Sequence, residues 1–180
     1  VFLKKGDIFF SARASVKLVS SPTDFNQIDR GRVKDRYRSL WPFMSEETAS
    51  ALQLFTGDSK PNSQITRDKR RMFLDEMSGI QVASIRRFFE TYKDQILADI
   101  LRGAPPDDAD WMLVVDKYGN RLRALPMEDA IAFFGTGEVK QSPRGSLYIG
   151  RVFMQRKGGD KGKASANDLQ FKIHPSEILD

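Results

Sequence analysis

A chain of 180 residues that is 40% hydrophobic and 29% charged has enough apolar side chains to bury a core, which excludes an intrinsically disordered protein. Cysteine is absent and His174 is the one histidine, so disulfides, thiolate zinc sites, cysteine nucleophiles and multi-histidine cages are excluded, and any metal chemistry must use carboxylates. The net charge of +5 and a pI near 9.5 favour polyanionic partners, while no stretch approaches the roughly 18 consecutive apolar residues of a membrane span. Charge is segregated along the chain, at +5 over residues 1–45, −3 over 46–110 and +3 over 111–180. A cytoplasmic location without membrane partner is expected, and because the chain opens on Val1, sequence upstream of it is expected to be missing.

The first predicted element is a hairpin over residues 7–18, with Ser11, Ala12 and Arg13 as its turn. Strand side chains alternate between faces, so this register gathers Ile8, Phe10, Ala14, Val16 and Leu18 on a core-facing side. The other side carries Asp7, Phe9, Ser15 and Lys17, with Asp7 directly opposite Lys17. A carboxylate beside an ammonium suits phosphodiester hydrolysis: the acid is a ligand for a hard cation such as Mg²⁺, and the lysine steadies the attacking water and the developing charge. The same pair also suits an ordinary cross-strand ion pair.

Next, Phe25, Ile28, Val33, Tyr37 and Leu40 recur at roughly helical spacing, with Thr23 or Asp24 as N-cap. SEETASALQLF predicts a second helix, opened by Ser45 and an acidic first turn and closed by Gly57. TRDKRRMFLDEMSG reads as a basic helix start, and residues 80–101 as one long amphipathic helix. GAPPDDAD ends it, which divides the chain into residues 1–103, a hairpin plus helices, and 104–180, a β-rich segment, both packed as one compact unit. WMLVVDKYGNRLRALPM predicts two strands around Tyr118-Gly119-Asn120, and Pro126 opens a short helix stopped at Gly135. GSLYIGRVFMQRKGG and LQFKIHP read as two last strands around a glycine- and lysine-rich loop. The fold class is α+β (α/β-like), with a central mixed β-sheet and a helical middle.

Two segments have the composition of a nucleic-acid contact. Between Lys140 and Lys172 lie eight basic and two acidic residues, and Gln155, Arg156, Lys157, Lys161, Lys163, Asn167 and Gln170 supply phosphate contacts and bidentate donors for base edges. Ahead of the third helix, Lys60, Asn62, Gln64, Arg67, Arg70 and Arg71 do the same. Both segments also fit solvated surface. Glu46-Glu47 and Asp107-Asp108 read as a helix first turn and a loop, and His174 as structural. No Walker loop, dinucleotide fingerprint or nucleophile elbow is present, so no nucleotide cofactor is expected.

The hairpin K-x-D-I … S-V-K at Lys5, Asp7, Ile8, Ser15, Val16 and Lys17, with TDFNQIDRG and MQRKGGDKGKASANDLQFKI, resembles the type II restriction endonucleases of the PD-(D/E)XK superfamily. The resemblance implies Mg²⁺-dependent, site-specific cleavage of double-stranded DNA by a homodimer within a restriction-modification system. It makes Asp7 the first metal-binding acid and Lys17 the motif lysine. Gly6 stands in place of the motif proline and Ser15 in place of the second acid. A hydroxyl cannot replace that charge, so the resemblance leaves Asp29 or Asp24 as the second metal ligand, with Asp29 favoured, and, if neither reaches Asp7, a one-metal site or an acid upstream of Val1. The missing acid also leaves a second reading, a non-catalytic sequence-specific DNA-binding module or truncated remnant.

Overall fold

A computed structural model describes residues 2–5, 7–21, 23–62, 66–159 and 162–179, with the backbone alone for 2–5 and 8–10. Strands β1 (Phe2–Lys5) and β2 (Ile8–Ser11) form an antiparallel hairpin with Lys5 opposite Ile8. Strand β3 (Ala14–Val19) instead runs parallel to β5 (Trp111–Asp116), which pairs antiparallel with β6 (Leu122–Pro126). The expected 7–18 hairpin therefore does not form. Arg13 explains why: its carbonyl accepts from the amides of Asp110 and Trp111, its amide donates to the Asp110 carboxylate, and its guanidinium pairs with Asp108 at 2.6 Å. These bonds tie the proposed turn to the entry of β5, and Asp108, read as plain loop, is half of that clamp.

Residues 26–31 fold as strand β4 (Asn26–Gly31) rather than as a helix. The helical spacing arose across two elements, since Ile28 belongs to the strand while Val33 and Tyr37 face the core from a π-helical turn (Val33–Tyr37) that runs into α1 (Arg38–Leu40). Helix α2 (Glu46–Thr56) follows its sequence signals, with the Ser45 side chain accepting from the Thr48 amide at 3.1 Å and Gly57 left-handed at φ 86°. The predicted long helix is two, α3 (Gly79–Thr91) and α4 (Lys93–Arg102), broken at Tyr92, whose ring docks 4.3 Å from Phe43. After β6 comes helix α5 (Met127–Gly135), as expected.

The C-terminal third adds β7 (Val139–Gln141), β8 (Leu147–Ile149), β9 (Val152–Arg156) and β10 (Leu169–Ile173). The segment read as one strand, GSLYIGRVFMQR, is a hairpin turned at Gly150, where the Arg151 amide donates to the Phe134 carbonyl at 2.8 Å. The order β4-β10-β9-β8-β7 makes a five-stranded antiparallel sheet, and β3-β5-β6 a three-stranded mixed one. One face of the large sheet is sealed by the helices: Trp41 stacks on Tyr37 at 4.7 Å and meets Phe89 and Phe171 edge-on, all fully buried. Pairings β3–β5 and β4–β10 join residues from both sides of position 103. The class is α+β, as the sequence predicts, with the strands divided among separate sheets. No helix among the described residues is long and apolar enough to cross a membrane.

Candidate functional site

Strand β3 is inverted relative to its hydrophobic pattern. Val16 and Leu18 are 59% and 49% exposed, whereas Lys17 points inward beside the buried Val114, on the side of Val19. Pairing is the cause: in a parallel ladder paired residues share a face, so the register that sets Ser15 beside Met112 and Lys17 beside Val114 turns the serine and lysine to the core side. Hiding an ammonium while two aliphatic side chains stay wet costs on the order of a few kcal/mol relative to the opposite register. Among the described residues Lys17 has no ion-pair partner within reach, and burial pulls its ammonium below the ordinary lysine value. Costly polar burial of this kind clusters at functional sites.

The carboxylates assigned to this lysine are placed differently. Asp7 is exposed in the β1–β2 turn, so strand pairing does not set it opposite Lys17. Asp29 is held by Arg36 through two bonds of 2.8 and 3.1 Å and by the Tyr37 hydroxyl at 3.0 Å, a knot that fastens β4 to the π-helical turn. Burial and the adjacent Asp29 charge push the Tyr37 phenol well up. Asp24 is no helix cap; its side chain accepts from the Ser20 amide at 3.1 Å. Among the described residues no three acidic or histidine side chains converge as a metal cage.

The two basic segments do converge. The Asn167 side chain donates to the Gly57 carbonyl at 2.9 Å and accepts from Arg156 at 2.7 Å, and Arg156 approaches Asp68 at 3.6 Å. Residues 66–73 do not begin a helix, because Asp68 and Glu76 take the backbone amides of Arg70, Arg67 and Phe73 and fold the segment as a loop ahead of a 3₁₀ turn (Leu74–Glu76). The Arg70 guanidinium holds the Asp68 carboxyl at about 2. Arg71 forms no ion pair among the described residues: it lies over Phe73 at 3.9 Å and Phe55 at 5.6 Å, and burial together with Arg156 pulls it down to about 10 against the weaker pull of Asp68 and Glu76. Arg156, with a 6% exposed side chain, is likewise lowered by burial and by Arg70, and its Nε has no hydrogen-bond partner among the described residues. Arg67 pairs with Asp75 and Glu76.

Other sequence-predicted contacts flank or leave this cluster. Lys60, Asn62 and Lys163 are exposed around it, and Lys157 is half-buried with its amide on the Asp168 carbonyl. Gln155 and Gln170 bond each other at 2.9 Å on the sheet face opposite Arg156. Gln64 and Lys161 lie outside the described residues. Asp68, Phe55 and Phe73 organise the arginines without having been singled out in the sequence, where an aspartate inside a basic run reads only as a counter-charge. Nearby, the buried Asp58 pairs with Arg32, and burial raises the Asp168 carboxyl.

No match is found among curated proteins. The fold is similar to that of the restriction endonuclease MspI, solved in complex with its cognate DNA, with a TM-score of 0.54 at 11% identity. The similarity covers 90% of this chain and 58% of that one, so this chain spans little more than half the length of the enzyme it matches. A family model described as R.HinP1I restriction endonuclease matches residues 2–179, which takes in both the inverted strand and the converging basic segments. On that match, the chain belongs to the R.HinP1I restriction endonuclease family.

Proposed function

We propose that this chain carries a site-specific endonuclease activity on double-stranded DNA, hydrolysing phosphodiester bonds with Mg²⁺. The observation that carries the reading is Lys17, an ammonium with no ion-pair partner among the described residues, held on the inner face of β3 while Val16 and Leu18 face water. The family match and the convergence of Arg70, Arg71, Arg156 and Asn167 support DNA as the substrate. In this reading the arginine cluster holds backbone phosphates, and Lys17 donates hydrogen bonds to the phosphoryl oxygens, whose charge grows as the bond breaks. Bound Mg²⁺ would supply Lewis-acid activation of the phosphate and of the attacking water.

The described carboxylates do not by themselves make a complete Mg²⁺ site. Asp7 is the exposed acid proposed as one ligand, and with Asp29 committed to Arg36 and Tyr37, Asp24 is the better second candidate. A homodimer acting in the cytoplasm as part of restriction-modification completes the proposal. Ser15, standing where a second acid is expected, favours one other reading, a DNA-binding module that does not cut.

Mixed-sequence duplex DNA incubated with the protein and Mg²⁺ separates the two. Discrete fragments, lost in Lys17→Ala and Asp7→Ala by at least about 100-fold in rate, are the expected result. Intact DNA under both Mg²⁺ and Mn²⁺, with salt-sensitive sequence-selective binding retained, establishes the non-cutting module instead.

A further inference from the structure

The large sheet has a second face, turned away from the helices. Register places Arg30, Gln170 and Gln155 in one row across β4, β10 and β9, and Lys172 and Phe153 in the next, with Tyr148 beside Phe153 and Lys140 beside Tyr148 at the far edge. Three side-chain amides form a chain over this face, from Gln155 to Gln170 to Gln27. Aromatic rings run alongside: Phe25 lies 5.7 Å from Phe153, which lies 4.9 Å from Tyr148, and His174 packs 3.6 Å from Phe25. Phe25 is 42% exposed and the Lys172 ammonium sits 6.0 Å over its ring.

The strand residues of this face carry charge of one sign, while Asp168, just ahead of β10 and within the field of Arg30, and Glu177, paired with Arg151, are acids at its margins. Across the five strands Asp29 is the sole acidic residue, and it is turned to the opposite face against Arg36 and Tyr37. Beyond Tyr148 the strip opens into a cleft of about 510 Å³, lined by Lys140, Tyr148, Arg151 and His174, with Glu177 tied to Arg151 at 2.9 Å. A cleft in the range of roughly 300–1,000 Å³ accommodates a small ligand of nucleotide size.

We propose that this face binds single-stranded DNA, with unstacked bases on the Phe25–Phe153–Tyr148 strip and the backbone along Arg30, Lys172 and Lys140. Half-exposed rings between cations are what a strand with free base faces requires, and a duplex, whose bases are stacked on each other, cannot use them. Fixed amides from the glutamine chain add donors and acceptors for base edges. The choice of DNA over RNA rests on the substrate proposed above; the stacking argument does not.

Fluorescence anisotropy with a labelled oligo-dT of about 20 nucleotides at low salt tests it, beside oligo-rU and a duplex of equal length. Phe25→Leu keeps apolar cover but removes the ring face, and should weaken oligo-dT binding roughly tenfold, whereas Phe25→Tyr should bind as the parent does. Lys172→Ala should flatten the salt dependence of log K by about 0.7. Duplex cutting by Phe25→Leu should be unchanged. Absence of saturable oligo-dT binding, or equal affinity in the parent and Phe25→Leu, overturns the proposal, and tighter binding of oligo-rU overturns the assignment to DNA. Loss of duplex cutting together with oligo-dT binding in Phe25→Leu overturns a separate single-strand surface. A protein that never cuts duplex DNA yet binds oligo-dT through Phe25 sinks the endonuclease reading and leaves this one standing.

Discussion

Lys17 is a residue whose burial opposes stability, and its replacement should show that directly. Methionine fills similar space without charge, so Lys17→Met is expected to abolish DNA cutting and to raise the melting temperature by about 1–3 °C at neutral pH. The pH dependence follows from the lowered lysine. Between the folded value and the ordinary 10.5, the unfolded chain binds the proton that the folded chain has lost, so stability of the parent rises with pH across that window. The gap between parent and Lys17→Met should therefore be widest near neutrality and close as pH approaches 10.5, measured by calorimetry in matched buffers. A lower melting temperature for Lys17→Met at neutral pH would mean that the ammonium stabilises the fold, and the functional argument from its burial would fail.

At the scale of elements, the junction after α2 decides whether the basic segments meet. Gly57 adopts φ 86°, and a Cβ placed there would stand 2.5 Å from the Arg70 carbonyl oxygen. Its own carbonyl accepts from Asn167, which also accepts from Arg156. Gly57→Ala should cost about 2 kcal/mol or more through the left-handed backbone and the clash together. Because the displaced atoms belong to Arg70 and Asn167, duplex affinity should fall as well, with Lys17 untouched. Chemical denaturation and a binding titration on one preparation check both effects; a loss of stability with unchanged affinity would remove the junction from the proposed DNA interface.

For the whole molecule, the distribution of charge matters more than its sum. A net +5 predicts attraction to DNA, but several arginines are already neutralised, Arg70 by Asp68 and Arg67 by Asp75 and Glu76. Arg71, stacked on Phe73 and Phe55, sharing the fields of Asp68 and Glu76 with other arginines and forming no ion pair among the described residues, has more to gain from a phosphate than Arg70. Arg71→Ala should therefore reduce the slope of log K against log salt by about 0.9, and Arg70→Ala by less, since the Asp68 carboxylate already neutralises that guanidinium. Salt titrations of duplex binding measure both slopes. Equal slopes for the parent and Arg71→Ala would take Arg71 out of the proposed interface.

Much was written locally. Ser45 and Gly57 bound α2, Tyr118-Gly119-Asn120 turns β5 into β6, and clustered arginine, glutamine and asparagine marked both basic segments, because capping, turn geometry and charge density depend on neighbours in sequence. Strand partners are a different matter. Residues 7–18 satisfy the alternation of a hairpin, yet β3 joins β5, about a hundred residues later, because Arg13 is bonded to Asp108 and Asp110. That choice faces Lys17 inward and leaves Val16 and Leu18 wet, the opposite of what alternation predicts. It is also tertiary structure that commits Asp29 to Arg36 and Tyr37 and sends Gln155 and Gln170 to the opposite sheet face from Arg156. The sequence by itself determined the α+β class and the basic character and singled out Lys17 as a candidate, since composition and local geometry are properties of short segments. Only the folded chain decided which carboxylates are free and which cations are unpaired, since those depend on contacts between residues far apart along it.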